Sequence, residues 1–305
     1  RPGATEGLAL WLKKPGVVFS SFAAARHPAQ LHDAPIAAAR PYPTLLFSHG
    51  IGGSMEVYTQ LSLDLASHGF IVISMEHEDG SGSYAETADG KAIHYQWPPF
   101  GDYTRDNVVA FRKNFLDHRV QDIRRVVEVL SQLPPDAPTC LTSVDAERLL
   151  LVGHSFGAAT CVMASRDEAL QGKFLGTMLL DLWPFPVPDQ ALDGGCPTPM
   201  ASILSTQFTQ SAEVAYTRRL MAASSKAISL HLRDSLHQNF ADSIFWFPEW
   251  LAKTLKLTGP IGVAASRRAI VETCVKFLGR CAKGEDAGVV SDYTTSDMLS
   301  FDAQV

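Results

Sequence analysis

The stretch RLLLVGHSFG, residues 148–157, decides the fold. Its first half is an unbroken apolar run, which is typical of a strand buried in a parallel sheet. The second half fits the pattern G-x-S-x-G, and a helical run begins near Gly157. Strand, glycine turn and helix in this order predict a nucleophile elbow, which lifts Ser155 above the sheet edge. The pattern alone is common, so its flanking elements make Ser155 the candidate nucleophile.

The chain around this stretch alternates between strand and helix patterns. Helical patterns cover residues 54–69, about 107–133 and about 264–278. Strands without polar alternation, interleaved with helices, predict a mostly parallel central sheet covered on both faces. Together with the elbow at Ser155, this sheet predicts an α/β-hydrolase fold. No change in composition divides the chain, so we expect one domain over residues 1–305, ending in a polar tail at 283–305. The other predicted strands are TLLFS (44–48), FIVIS (70–74), GTMLL (176–180), ASIL (201–204) and AISLH (227–231).

Composition excludes several classes of protein. With 46% hydrophobic and 19% charged residues, the chain resembles an ordinary globular protein. A net charge of −6 without a long basic run argues against a nucleic-acid partner. The sequence contains no run of about 18 apolar residues, so we predict no membrane-spanning helix. The five cysteines are scattered, which indicates free thiols, and we predict no metal and no cofactor. No signal sequence follows Arg1, so the compartment, secreted or cytosolic, stays open.

The candidate acid and base follow Ser155 in the chain, which is the order of the α/β-hydrolase fold. Two histidines come after it. His231 ends a predicted strand and would pack there, whereas His237 lies in the next loop, where the base belongs. Asp181 follows a predicted strand directly and is the first candidate for the acid that fixes the histidine tautomer. The looser candidates are Asp189, Asp193 and Asp234.

A glycine-rich loop follows the first predicted strand. It reads SHGIGGS, residues 48–54, and is suited to expose a backbone N–H. In this fold one oxyanion donor is the residue after the nucleophile, here Phe156, and the second comes from such an early loop. Ile51 is therefore the candidate second donor. The alternative is a turn that only begins the next helix.

Seven segments in order resemble the platelet-activating factor acetylhydrolases, also called lipoprotein-associated phospholipase A2. The resemblance implies calcium-independent hydrolysis of the sn-2 ester of phospholipids with short or oxidised acyl chains. It also implies a triad of Ser155, Asp181 and His237, with the N–H groups of Ile51 and Phe156 as oxyanion donors. The segments are FSHGIGGS with DLASHGFIV, EHEDGSGS (76–83), GHSFG, LLDLWPFP (179–186), and HQNFAD (237–242) with LKLTG (255–259).

The sequence departs from that family pattern in three places. Ala158 stands where the family usually has a glycine, at a helix position that tolerates alanine. Glu78 stands where a basic residue is common. Residues 1–43 lack the strands that family members usually carry, so we regard them as a divergent or truncated N-terminal region.

Two aromatic segments are candidates for a lipid-binding surface. Phe247, Trp250, Leu251 and Leu255 have helical spacing after a proline, with lysines off the stripe. A second segment, GLALWLKKPGVVF (7–19), carries Trp11 and Leu12 before two lysines. The resemblance implies that both form one face, which makes the chain a peripheral protein on membranes or lipoproteins. The alternative is that both stripes pack on the sheet.

The roles of two further aromatic residues remain open, as do two alternative functions of the protein. Trp183 and Phe185 follow the candidate acid and are expected to line an acyl pocket, with core packing as the alternative. On the same fold the chain could instead be a generic lipase or a polyester-type esterase. A catalytically silent lipid-binding protein is the third possibility, although the full serine, aspartate and histidine set argues against it.

Overall fold

The computed structural model describes residues 2–20, 41–134, 136–288, 293 and 299–301. Within these residues, seven strands form one sheet in the order β2-β1-β5-β6-β7-β8-β9, and β3 pairs with β4 in a separate antiparallel hairpin. The first six strands of the sheet run parallel, and β9 runs antiparallel to β8. The strands are β1 Tyr42–Ser48, β2 Ile71–Met75, β3 Tyr84–Glu86, β4 Ala92–His94, β5 Val144–His154, β6 Phe174–Leu180, β7 Met200–Ser205, β8 Ala227–Leu232 and β9 Leu299–Phe301.

Helices cover both faces of this sheet, as the sequence predicts. In β5 the side chains of Leu150 and Val152 enter one apolar core, whereas Leu149 and Leu151 enter the other. This alternation lets each strand residue bury its side chain on one side or the other, which explains the continuous apolar run. The α-helices are α1 Pro2–Leu12, α2 Thr59–Ser67, α3 Arg105–Ser131, α4 Phe156–Ser165, α5 Asp189–Gly194, α6 Thr206–Thr209, α7 Val214–Ala222, α8 Glu249–Thr254 and α9 Val263–Lys283.

The carboxyl ends of the parallel strands lie at one edge of the sheet. Cα pairing places Ser48 beside Gly153, and His154 beside Leu180. Ligands of open α/β sheets bind outside this edge, because the loops that follow the strands converge there. The candidate nucleophile, acid, base and oxyanion loop all follow such strand ends and are brought together although they are far apart in the chain.

Two predictions about the fold need correction. The predicted helix 54–69 is divided into a 3-10 turn, Met55–Tyr58, and α2. The C-terminal region is not only a polar tail, because Tyr293 and Leu299 are buried and β9 adds a strand to the sheet. The N-terminal region begins with a helix, α1, that packs against the β3–β4 hairpin. Most of residues 21–43, and of 289–305, lies outside the described residues.

Candidate active site

Ser155 occupies the turn between β5 and α4. Its backbone has φ 57° and ψ −116°, a conformation that non-glycine residues rarely adopt and that is expected at a nucleophile elbow. Gly157 makes the turn possible, since an added Cβ would lie 2.0 Å from the Ser48 carbonyl oxygen. The Ser155 N–H donates to the Leu180 carbonyl at 3.0 Å, which ties the elbow to the neighbouring strand. The serine is thus held in one position at the N-terminus of α4.

Asp181 and His237 form the hydrogen bond that the predicted triad requires. The Nδ1–Oδ2 distance is 2.6 Å, and Asp181 is fully buried. Ser205 donates to the same carboxylate through its backbone N–H at 2.6 Å and its hydroxyl at 2.8 Å. Three donors keep this carboxylate oriented, so that it holds the proton of His237 on Nδ1. The remaining ring nitrogen, Nε2, is then the basic atom.

The His237 ring is held between two other rings. Phe208 stacks on it at 4.7 Å between centroids and 16° between planes, and His154 lies 4.5 Å away. The backbone N–H of His237 donates to the Gln207 side chain at 2.9 Å. These contacts fix the rotation of the imidazole, a condition for a base that must meet a serine hydroxyl.

The other acid and base candidates lie elsewhere. Asp189 and Asp193 are exposed and form ion pairs with arginines on the surface. Asp234 is exposed. His231 lies within β8, where its Nε2 contacts the Thr206 hydroxyl at 2.9 Å. The geometry brings Asp181 and His237 together and leaves the alternatives apart.

The predicted oxyanion donors have free N–H groups. In the loop, Gly50 donates to the Tyr58 hydroxyl, Gly52 to the Ser81 carbonyl and Gly53 to the Gly50 carbonyl. In the described part of the chain, the N–H groups of Ile51 and Phe156 have no protein acceptor. Phe156 is the first residue of α4, where N–H groups point toward an anion. These two free donors are what an oxyanion hole needs.

A buried arginine that sequence reasoning missed holds this loop in place. Arg119 of α3 has no exposed surface, donates to the His49 carbonyl at 2.6 Å and pairs with Asp79 at 2.9 Å. Its guanidinium lies 4.6 Å from the centre of the Phe156 ring. Burial alone would raise the pKa of Asp79, but Arg119 and the Ser81 donors lower it below its ordinary value. Arg119 therefore contacts the segments that carry both candidate oxyanion donors, through the His49 carbonyl in the loop and the ring of Phe156.

A sequence signal for Arg119 existed. Arg119 lies, with Arg112, on a helix face that otherwise carries Phe115, Leu116, Val120 and Ile123, and a charge within such a stripe indicates a buried partner. Two of its partners, Asp79 and Ser81, lie in EHEDGSGS, where the departure at Glu78 falls on an exposed side chain.

The candidate active site opens into a cleft of about 120 Å³. Ser155 and His237 line it together, and Leu8 and Trp11 of α1 close it from above. The Trp11 ring lies directly over Gly52, where an added Cβ would come within 2.1 Å of it. Trp11 is therefore a half-buried wall of the cleft, because the glycine leaves space for the indole to pack inward, and its role at a lipid surface stays a prediction.

Trp183 and Phe185 do not line this cleft. Trp183 packs its ring on Phe156 at 6.0 Å, and Phe185 packs edge-on against Tyr216 at 5.6 Å. Beside Trp183 lies Glu213, whose Oε2 is buried and has no partner within the described residues. Burial raises the pKa of Glu213, while His237 and a hydrogen bond from Trp183 act against that shift. No sequence pattern pointed to Glu213.

The remaining surface candidates fall into two groups. Trp250 is 69% exposed, Leu255 50% and Leu12 37%, so these three side chains are available to a lipid surface. Phe247 and Leu251 are half-buried instead. Among the residues that the structure describes, no helix is both long and apolar enough to cross a bilayer.

Comparison with known proteins points to one family. The family model described as platelet-activating factor acetylhydrolase, isoform II, matches residues 4–297. A platelet-activating factor acetylhydrolase of Bos taurus is 26% identical over 259 residues, which are 78% of this chain and 57% of the relative. One of Canis lupus familiaris is 28% identical over 246 residues, 75% of this chain and 54% of the relative. The chain thus spans little more than half the length of these relatives.

A solved structure supports the fold. The ferulic acid esterase of Streptomyces cinnamoneus superposes with a TM-score of 0.66, covering 87% of this chain and 75% of that chain. The two sequences are 19% identical, so the likeness concerns the fold. Together with the mostly parallel sheet and the elbow, it confirms the α/β-hydrolase fold class.

Proposed function

Because the chain belongs to the platelet-activating factor acetylhydrolase, isoform II, family, we propose that it is a calcium-independent serine esterase acting on phospholipids. It hydrolyses the sn-2 ester of phospholipids whose acyl chain is short or oxidised. The observation that carries this proposal is the 2.6 Å bond between Asp181 and His237 beside Ser155, which faces the same cleft as His237.

The reaction follows from the positions of these groups. His237 Nε2 takes the proton of the Ser155 hydroxyl as its oxygen attacks the ester carbonyl. The negative charge that forms on the carbonyl oxygen is stabilised by the N–H groups of Ile51 and Phe156. The ester bond breaks, the lysophospholipid leaves with the proton from His237, and an acyl group remains on Ser155. Water, deprotonated by the same histidine, then releases the carboxylic acid and restores the serine.

The size of the cleft supports a short acyl chain. Its volume is about 120 Å³, and Leu8 and Trp11 are among its lining residues. Such a space accommodates an acetyl or butyryl group, whereas a long saturated chain would have to displace Leu8 and Trp11. The size of the cleft therefore supports the proposal that the substrate carries a short acyl chain.

The decisive experiment is a hydrolysis panel of phosphatidylcholines whose sn-2 chains increase from acetyl to palmitoyl, measured in excess EDTA. We expect lysophosphatidylcholine from the short and oxidised chains, at rates that EDTA does not change. A preference for triglyceride or polyester would favour the generic esterase. Failure of Ser155 to react with a fluorophosphonate, together with no turnover of any ester, would favour the silent lipid-binding protein.

Replacing Trp11 by alanine is expected to widen acyl-chain selectivity. Removing the indole opens the cleft above Gly52, so the ratio of kcat/KM for octanoyl over acetyl substrates should rise about tenfold, the effect of roughly two additional buried methylene groups. Trp250→Ala, which removes an exposed tryptophan, is the matched control and should leave the ratio unchanged on monomeric substrates. An unchanged ratio in Trp11→Ala would show that another wall limits the chain.

The exposed apolar side chains are proposed to hold the protein on lipid. Trp250→Ala and Leu255→Ala should each weaken partitioning onto phosphatidylcholine liposomes by about tenfold, since each removes an apolar side chain that would enter the interface. Sedimentation with liposomes measures this, and turnover of a soluble ester should not change. Val129→Ala removes a similarly exposed side chain of α3 and serves as control. Equal binding by all variants would contradict this surface.

A further inference from the structure

A chain of hydrogen bonds connects three parts of the candidate active site. The Tyr58 hydroxyl lies 3.0 Å from the Gly50 nitrogen and 2.8 Å from His154 Nδ1. On the other side of that imidazole, His154 Nε2 lies 3.2 Å from the backbone carbonyl oxygen of His237. Tyr58 and His154 are both buried. The chain thus begins in the oxyanion loop, passes the elbow and ends at the base.

The proton positions in this chain follow from its two ends. A backbone N–H can only donate, so Gly50 donates to the Tyr58 oxygen; a carbonyl can only accept, so His154 must carry its proton on Nε2. His154 Nδ1 is then an acceptor, and it receives the Tyr58 proton. Burial lowers the pKa of His154 well below its ordinary range, and the neighbouring His237 lowers it further. Burial raises the pKa of Tyr58, so both groups stay neutral.

Each hydrogen bond in this chain involves a residue that is itself a reacting group or directly precedes one in the sequence. Gly50 precedes Ile51, His154 precedes Ser155, and the accepting carbonyl belongs to His237 itself. Oxyanion donors must lie at hydrogen-bond distance, about 2.7–3.1 Å, from the position of the forming anion, and a misplacement of about 1 Å costs about 100-fold in rate. A rigid connection between loop, elbow and base is therefore a direct means of controlling catalysis.

We propose that Tyr58 and His154 are positioning residues, which fix the oxyanion loop relative to Ser155 and His237. This inference rests on the proposed esterase function. Neither residue exchanges a proton with the substrate, since each of their polar atoms already has a protein partner. Their effect is on the distance between the reacting groups, and so on kcat more than on KM.

The first test is Tyr58→Phe. The phenyl ring keeps the packing on Phe47, whose centroid lies 4.9 Å away, so the variant should fold. It removes both hydrogen bonds of the hydroxyl, and we expect kcat for a short-chain phosphatidylcholine to fall about 10- to 100-fold with KM changed less than about twofold. Tyr293→Phe, in which a buried tyrosine loses a bond to the Ala287 carbonyl far from the site, is the control and should match the wild type.

A second test separates the two hydrogen bonds that the His154 side chain makes. In His154→Gln the amide nitrogen replaces Nε2 and still donates to the His237 carbonyl, but the bond to Tyr58 is lost. His154→Asn does the reverse. Because Tyr58→Phe and His154→Gln break the same bond, the double variant should be no slower than the slower single variant. Losses that multiply would show that the residues act separately and would overturn the proposal.

The tautomer provides a readout independent of activity. In a long-range ¹H–¹⁵N spectrum of the wild type, His154 should show the neutral Nε2–H form throughout the neutral pH range; the Nδ1–H form would contradict the chain. The two failures are distinguishable. A wild type without any esterase activity contradicts the proposed function, whereas an active wild type matched by Tyr58→Phe contradicts the positioning role.

Discussion

Replacing Ser155 by alanine is expected to lower kcat for a short-chain phospholipid by about 10⁵-fold or more, because no other hydroxyl occupies the elbow. Rates are best measured with an acetylated phosphatidylcholine, and the variant should no longer react with a fluorophosphonate. The fold should persist, since alanine keeps the backbone N–H that bonds to the Leu180 carbonyl.

Ser165→Ala is the matched control for that experiment. Ser165 ends the same helix, α4, and is as buried as Ser155 at 4% exposure, yet its hydroxyl bonds to the Val162 carbonyl. It should retain full activity. Wild-type rates in Ser155→Ala, or equal losses in both variants, would contradict the assignment of the nucleophile.

Replacing Asp181 by asparagine is expected to lower kcat by about 10⁴-fold with little change in the fold. An amide has one oxygen instead of two, whereas three donors now surround this carboxylate. If the amide nitrogen faces His237, it donates to Nδ1 and moves the ring proton to Nε2. The imidazole then cannot accept the proton of Ser155.

Asp193→Asn tests the same change in the nearby helix α5. Asp193 is exposed and bonded to Arg219, so losing its charge should leave kcat within about twofold. Thermal unfolding of both variants separates catalysis from stability. A catalytic loss in Asp193→Asn with Asp181→Asn unaffected would assign the acid to Asp193 instead.

Much of the fold could be predicted because its patterns are local. The buried strands are continuous apolar runs, and the helices end at residues with clear stop signals. The last helix, α9, continues five residues beyond the predicted end to Lys283, where Gly284 adopts a left-handed conformation with φ 69°. The elbow could also be predicted, since one short stretch contains the strand, the turn and the nucleophile.

The surroundings of the site could not be predicted, since they depend on contacts between distant segments. Nothing near Trp11 in the sequence indicates that its ring lies over Gly52, because the contact joins the N-terminal helix to a loop after β1. The same holds for the carboxylate of Glu213. A set of residues with suitable types and distances can also be mistaken for a catalytic site when the burial of its side chains is ignored. Ser48, His77 and Asp122 form a second chain with two contacts of 2.9 Å, but Ser48 and His77 are buried beneath the oxyanion loop.

The bond between Arg119 and the His49 carbonyl has a consequence for the order of folding. It joins residues 70 positions apart, whereas the elbow is built from one continuous stretch of chain. Contacts between neighbouring residues generally form before those that close long loops. The shape around Ser155 can therefore arise early, while the oxyanion loop must wait until α3 has docked. A partly folded chain would display its nucleophile without the means to stabilise the charge that an attack creates.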